Sequence, residues 1–223
     1  MEQKIEAVLW KNFAKQYSLS LSQLEQFIHV YNELVQKNAD FNLTTILDIE
    51  SVLAYHFADS LALSNCADMT KIAGIVDVGS GAGFPSLPLK IAYPHLHVTA
   101  IEVNNKKADF LEAIARELSF ENFTVSRLDY RTFLRKAGES LDIDYSAYYV
   151  CARASLDVDE LLRMFKGASP YKKAKLVYWA AIGWDGSSLQ QKYIIDKCCY
   201  TVGSRKRKLV FFGMPTATVH EEK

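Results

Sequence analysis

The 223-residue chain has no surplus of charge of either sign, since 26 lysines and arginines balance 26 aspartates and glutamates. Strongly basic nucleic-acid-binding domains announce themselves through their pI, so any nucleic-acid contact here must come from a local basic face. Cations do gather at Arg127, Arg131, Arg135 and Lys136, at Lys172, Lys173 and Lys175, and through Arg205-Lys206-Arg207-Lys208. No run approaches the roughly 18 apolar residues needed to cross a bilayer. Residues 1–13 alternate charged with apolar side chains and lack the apolar core of a secretory signal. A cytoplasmic protein without membrane attachment is expected. The four cysteines, Cys66, Cys151, Cys198 and Cys199, show no metal-ligand spacing. The adjacent pair could suggest a metal or redox site, but no histidine or second cysteine pair supports one. Reduced thiols and no metal are the expectation. There is no internal repeat, low-complexity segment or flexible linker.

What the chain does contain is a change of rhythm near residues 65–72. Before it the pattern is helical. Leu24, Phe27, Ile28, Tyr31, Leu34 and Val35 recur at the three-and-four spacing of one helix face, with Ser22 and Glu25 offering a capping box. An earlier helix carries Ile5, Val8, Leu9 and Phe13, and a later one opens near Asp48 with Ile49, Val52, Leu53 and Phe57. Asn38 to Asn42 reads as a turn. After it come short apolar runs at Ile72–Val78, His97–Val103, Phe123–Ser126, Ala147–Ala152, Lys175–Ile182 and Leu209–Gly213. Helical patterns separate them at 105–119, 155–167 and 187–197. Alternating strands and helices imply a doubly wound, mostly parallel α/β sheet. The expected organisation is a helical cap over 1–70 and a core over 71–223.

The most informative stretch is Ile75-Val76-Asp77-Val78-Gly79-Ser80-Gly81-Ala82-Gly83-Phe84-Pro85, a buried strand entering a glycine turn. Glycines accept positive φ and let backbone amides approach a ligand. Pro85 suits the first turn of a helix. Glu102 ends the next strand, placed to accept hydroxyls of a ribose. A dinucleotide fingerprint wants a third glycine where this chain has Phe84, and no Gly-Lys-Ser/Thr follows as a P-loop requires. A nucleoside without a pyrophosphate, S-adenosylmethionine, fits the turn better than NAD or ATP.

These residues resemble the bacterial small-subunit rRNA guanine-N7 methyltransferases, the RsmG or GidB family, from about residue 30 to 213. The likeness is carried by Asn42-Leu43-Thr44, by His56-Phe57-Ala58-Asp59-Ser60-Leu61, and by Asp77 to Pro88 with its two prolines, Pro85 and Pro88. Glu102 to Leu111, Arg127-Leu128-Asp129, Ala152-Arg153-Ala154 and Arg207 before Leu209-Val210 complete it. Two departures stand out. Ile182 occupies a lysine position after the fifth core strand, and Lys166–Lys175 lacks a proline-glycine-glycine turn; a segment near 135–148 also looks long.

The resemblance implies a Rossmann-like S-adenosylmethionine-dependent methyltransferase fold with an N-terminal helical extension. It implies methylation of N7 of a guanine in 16S rRNA, free or in the small ribosomal subunit, and a monomer is expected. Gly79, Ser80, Gly81, Gly83, Phe84 and Glu102 would hold the cofactor, with Leu128 and Asp129 at the adenine. Arg153 would reach the cofactor or the methyl-transfer site, as the catalytic residue. Lys106, Arg127 and Arg207 would hold RNA phosphates. Plainer roles stand beside these: Asp129 capping a turn, Arg153 a surface cation, His56 and Asp59-Ser60 a capped helix end, Arg205–Lys208 a solvated strand start. Other functional readings are a same-fold methyltransferase acting on a small molecule or a protein, and a cofactor-binding protein without activity.

Overall fold

The computed structural model describes residues 2–136, 144–165 and 170–213. Two helices lead, α1 (Glu2–Gln16) and α2 (Leu21–Asn38). Ser20 caps α2, accepting from the Gln23 amide while the Gln23 side chain accepts from the Ser20 amide. The capping box thus sits two residues ahead of the Ser22–Glu25 pair expected from sequence, because Leu21 is already helical. Asn38 closes the turn after α2, its Oδ1 accepting from the amides of Leu43 and Thr44. α1 also differs from its sequence pattern. Ile5 and Val8 are half exposed, whereas Trp10 and Phe13 turn into the core, because that is where the aromatic rings of α2 and the next helix meet them.

That next helical run opens at Asp48, which caps α3 (Ile49–Val52) through a 2.9 Å bond from the Ser51 amide. A π-helical stretch, Leu53–Ala58, follows, and then α4 (Asp59–Leu61) and α5 (Leu63–Cys66). The wider π turn is where a helix re-aims side chains, and such turns concentrate at functional sites. Here it presents Tyr55 and His56, with Asp59 directly after it at the start of α4.

The core alternates β1 (Gly74–Val78), α6 (Ser86–Ala92), β2 (His97–Ile101), α7 (Asn105–Glu117), β3 (Phe123–Ser126), α8 (Tyr130–Lys136), β4 (Tyr148–Ala152), α9 (Val158–Phe165) and β5 (Lys175–Ala181). It ends with α10 (Ser188–Gln191), β6 (Ile194–Val202) and β7 (Arg205–Phe212). The seven strands lie in the order β3-β2-β1-β4-β5-β7-β6, with β7 antiparallel to β5 and β6. Strands β1 and β4 are apolar almost throughout because helices cover both sheet faces. Ile75, Tyr149, Val177 and Phe211 face one cluster, which the N-terminal helices, α6 and α7 complete. Val76, Val150, Leu176 and Phe212 face the other, under α8 and α9.

The C-terminal third departs most from expectation. Residues 187–197 form one helical turn and then enter β6, an edge strand in which Asp196, Lys197 and Thr201 interrupt the apolar pattern and most side chains are exposed. β7 begins at Arg205, four residues before the apolar run. The thiol expectation is corrected for two cysteines: Cys66 of α5 and Cys198 of β6 form a disulfide, with Cα atoms 5.9 Å apart. A pair 132 residues apart in sequence leaves no local signature. Cys151 is a buried free thiol and Cys199 an exposed one. The expected departures at 135–148 and 166–175 lie partly outside the described residues.

Candidate functional site

The turn after β1 is built by its glycines. The amides of Gly79 and Ser80 both donate to Ile101 O, at 2.9 and 3.0 Å, tying the turn to the end of β2. The amides of Gly83 and Phe84 then donate to Ser80 O and start the path into α6. A methyl group on Gly83, at φ 91°, would lie 2.4 Å from Leu87 Cδ1 and 2.9 Å from Leu111 Cδ2. That glycine seats the helix against the sheet. On Gly81, at φ 58°, a methyl group would meet nothing closer than the Gly79 carbonyl at 4.0 Å. Gly81 faces open space at the carboxyl end of the sheet, so its missing side chain leaves room beside the turn.

Glu102 closes this cradle. Its Oε2 accepts from the Gly81 amide and its Oε1 from the Asn104 amide, both at 2.8 Å. The carboxylate is 7% exposed and is aimed across the turn by these two bonds. Each oxygen keeps a lone pair for a hydroxyl, which is what a ribose presents. Open space at Gly81 and a pinned carboxylate together fit a nucleoside cofactor. Under the turn, the buried Asp77 accepts from the Ser86 amide at 3.1 Å, and burial pushes its carboxyl up to about 6.

Phe84 forms the wall toward the N-terminal helices. His56 stacks on it, with ring centres 4.4 Å apart and planes 8° from parallel, and the Arg153 guanidinium carbon lies 5.4 Å from its centre. Burial, and then the nearby Arg153 charge, pull the His56 imidazole down to about 4, so it is neutral at pH 7. Its Nε2 shares a 2.9 Å hydrogen bond with Thr44 Oγ1. Arg153 follows β4, and the next residue, Ala154, takes φ 53°. That left-handed conformation costs a non-glycine residue roughly 1–2 kcal/mol. It brings Ser155 over Gly79, where an added methyl would lie 2.6 Å from Ser155 Cβ.

Asp59 organises the arginines. It is fully buried, its Oδ2 accepting from Arg153 Nη1 at 3.0 Å and pairing with Arg207 Nη1 at 3.2 Å. Tyr200 donates to Oδ1 at 2.7 Å, and Trp179 Nε1 to the Asp59 carbonyl at 2.8 Å. Arg153 Nη1 also donates to Tyr55 O at 3.0 Å. A carboxylate without solvent is tolerated only when paired and hydrogen-bonded, and here Arg153 after β4, Tyr200 of β6 and Arg207 of β7 supply its partners.

Beyond β3, Leu128 is half-buried, and Asp129 is exposed and caps α8 by accepting from the Arg131 and Thr132 amides and the Thr132 hydroxyl. Arg127 pairs with Asp109 at 2.8 Å and Glu112 at 2.9 Å, and Lys106 is exposed at the start of α7. Arg127 and Lys106 therefore stand at the β3–β2 side of the carboxyl rim, and Arg207 stands across the sheet beside β5. The structure gathers the turn, Glu102, Phe84 and Arg153 in one place and sets these three cations around it. Ile182 is half exposed directly after β5, while on the neighbouring strand Lys208 pairs with Ala180 and reaches Asp185 at 3.3 Å.

The sequence model described as rRNA small subunit methyltransferase G matches residues 23–168, well over half of the chain. The chain belongs to this family. A Bacillus subtilis protein named ribosomal RNA small subunit methyltransferase G is 44% identical over 140 residues, covering 63% of this chain and 57% of its own length. A namesake from Aster yellows witches'-broom phytoplasma is 36% identical over 156 residues, covering 69% of this chain and 70% of its own. The chain spans about half the length of the Bacillus, Halalkalibacterium and Exiguobacterium relatives, at 57%, 50% and 45%. Similar folds include a putative O-methyltransferase from Klebsiella pneumoniae, with TM-score 0.55 at 11% identity over 83% of this chain and 90% of that one. A putative methyltransferase from Escherichia coli gives TM-score 0.52 at 14% identity over 70% and 86%. At such identities they show the Rossmann-like methyltransferase fold alone.

Several groups at this site carry no signal in the local sequence. Tyr200, Trp179 and Tyr55 reach the Asp59 cluster from 141, 120 and 4 residues away. Asp59 itself stood in a recognisable motif, but its spacing equally described a helix end. A buried acid in a helix otherwise lined with aromatics was the available signal.

Proposed function

We propose that this chain is an S-adenosylmethionine-dependent methyltransferase acting on N7 of a guanine in small-subunit rRNA. Membership of the methyltransferase G family and the Gly79–Phe84 turn closed by Glu102 support the reading, and the turn carries it. Gly79, Ser80, Gly81 and Gly83 would present backbone to the cofactor, Glu102 would hold the ribose, and Leu128 and Asp129 would flank the adenine. Phe84 and Arg153 would border the methyl group. The bound cofactor would supply an electrophilic sulfonium methyl.

The chain's own residues then have little proton chemistry to perform. Guanine N7 carries an exposed lone pair and needs no deprotonation before attack. This suits a site whose nearest imidazole, His56, is neutral and whose stacked partner is apolar. The residues' work is alignment and exclusion of water, which can together account for most of such a barrier reduction. Arg153, held by Asp59 and Tyr55 O, would fix its guanidinium against the cofactor or a base edge. Methylation makes the guanine cationic, so positioning suits Arg153 better than contact with the product ring. Lys106, Arg127 and Arg207 would hold phosphates around the rim. We further read residues 1–70 as a cap on the 71–223 core, and the chain as a cytoplasmic monomer that uses no metal. Among the described residues no helix is long and apolar enough to cross a membrane.

Borohydride and aniline cleavage of 16S rRNA from cells with and without this chain tests the reading. An N7-methylguanosine scission that disappears on deletion is expected. An unchanged cleavage pattern would favour a small-molecule or protein substrate.

A further inference from the structure

We propose that the RNA runs along a line of three arginines from the tip of the β6–β7 hairpin to Arg153, with Arg205 and Lys206 as its first phosphate contacts. The proposal rests on the methyltransferase reading above and gives that substrate a path.

The register of the sheet draws the line. Arg207 pairs with Ala181, the last residue of β5, so Arg205 and Lys206 overrun the carboxyl end of the parallel strands. This is the end at which the glycine turn and Arg153 lie. Alternation along β7 turns Arg205 and Arg207 to the same side, toward the π-helical run. Arg205 lies over the Tyr55 ring, 4.1 Å from its centre, and Arg207 pairs with Asp59 at 3.2 Å. Arg153 pairs with the same Asp59 oxygen and reaches Phe84. Three guanidinium groups are thus held by two supports one helical turn apart, and the line ends at the wall of the cradle.

The two ends of this line differ in chemistry. Arg153 and Arg207 are both paired with one buried carboxylate, Asp59. Arg205 is held without a counter-charge, since its support is the ring and hydroxyl of a tyrosine rather than a carboxylate, and its five-donor fork keeps N–H groups for a phosphate. Among the described residues neither Arg205 nor the exposed Lys206 takes part in an ion pair, in contrast to Arg127, which holds two carboxylates. The tip is also fixed. Tyr55 OH and Ser204 Oγ are 3.1 Å apart, and a methyl group on Gly203 would sit 2.9 Å from the Tyr55 ring. An arginine fixed on Tyr55 and an exposed lysine beside it, both outside the ion pairs of the described residues and followed by a row leading to the reacting centre, suit the guiding of a single-stranded RNA backbone with one base splayed.

The test measures binding of deproteinised 16S rRNA across a salt series. It compares the wild-type chain with Arg205→Glu/Lys206→Glu and with Lys192→Glu/Lys197→Glu, which makes the same change of charge away from the line. The hairpin variant should bind roughly tenfold or more weakly at moderate salt, with the slope of log K against log salt shallower by about 1.4, at about 0.7 per single-strand phosphate contact. The comparison variant should stay within about twofold of wild type, and both should titrate with S-adenosylmethionine as wild type does. Lys206→Glu alone, on an exposed side chain with no packing role, should change the slope by about 0.7, separating charge from any disturbance of Tyr55. Equal weakening in both double variants, or wild-type binding by the hairpin variant, would overturn the path and leave the methyltransferase reading standing. A wild-type chain that neither binds nor methylates 16S rRNA would overturn that reading and the path with it.

Discussion

Among the three glycines of the turn, the structure separates two jobs that look identical in sequence. Gly83 is needed because Leu87 and Leu111 fill the volume a side chain would take, while Gly81 borders open space. Asp and Asn tolerate the left-handed conformation better than other residues, so Gly81→Asp should fold with a stability loss on the order of 1 kcal/mol. Its carboxylate would occupy the cradle beside Glu102 and repel it. We expect the variant to melt as a folded protein and to show no heat of binding with millimolar S-adenosylmethionine. Wild-type affinity would mean that the turn is not where the cofactor lies. The glycine turn, its acid and Phe84 were legible because each is a local requirement of one loop. The direction in which each glycine faces was not, because it depends on α6 and α7 packing from elsewhere in the chain.

At the scale of elements, the π-helical run and the β6–β7 hairpin act as a pair. Tyr200 reaches Asp59 from the side of β6 that also carries Cys198, two residues earlier, and Cys198 is bonded to Cys66 at the end of the same helical run. The disulfide and the Asp59 cluster therefore fasten the same two elements. Closing a loop of this length restricts the unfolded chain enough to be worth about 2–5 kcal/mol. Cys66→Ser/Cys198→Ser should thus lower the urea midpoint, and wild-type protein should fall to the same midpoint on adding dithiothreitol. An unreduced wild-type chain with the midpoint of the double variant would show that no bond forms. The strands of the parallel core were readable from apolar runs bounded by helices. β6 was not, because an edge strand facing water on one side carries Asp196, Lys197 and Thr201 and lacks the apolar run.

For the whole molecule, two buried groups oppose each other in acid. His56 is held neutral with its value near 4 against an ordinary 6.5, so its contribution is complete above about 6.5 and is lost as the pH falls toward 4. Asp77 is raised to about 6 from 3.8, so its contribution is complete below about 3.8 and is lost as the pH rises through 6. Each shift of about two units amounts to roughly 3 kcal/mol at most, and across pH 4–6 the two nearly cancel. Asp77→Asn should therefore lose stability as the pH drops from 6.5 to 4, and His56→Gln should gain it over pH 6 to 4. Urea midpoints across that range, flat in both variants, would rule out these titrations. The sequence by itself determined the α/β class, the glycine turn and the family, because strand-turn-helix chemistry and apolar rhythm act over a few residues. Tertiary structure alone decided that Asp59 gathers Arg153, Arg207 and Tyr200, that Arg205 lies on Tyr55, and which cysteines meet. Those contacts join residues more than ninety positions apart, and only the strand order 3-2-1-4-5-7-6 brings them to one rim.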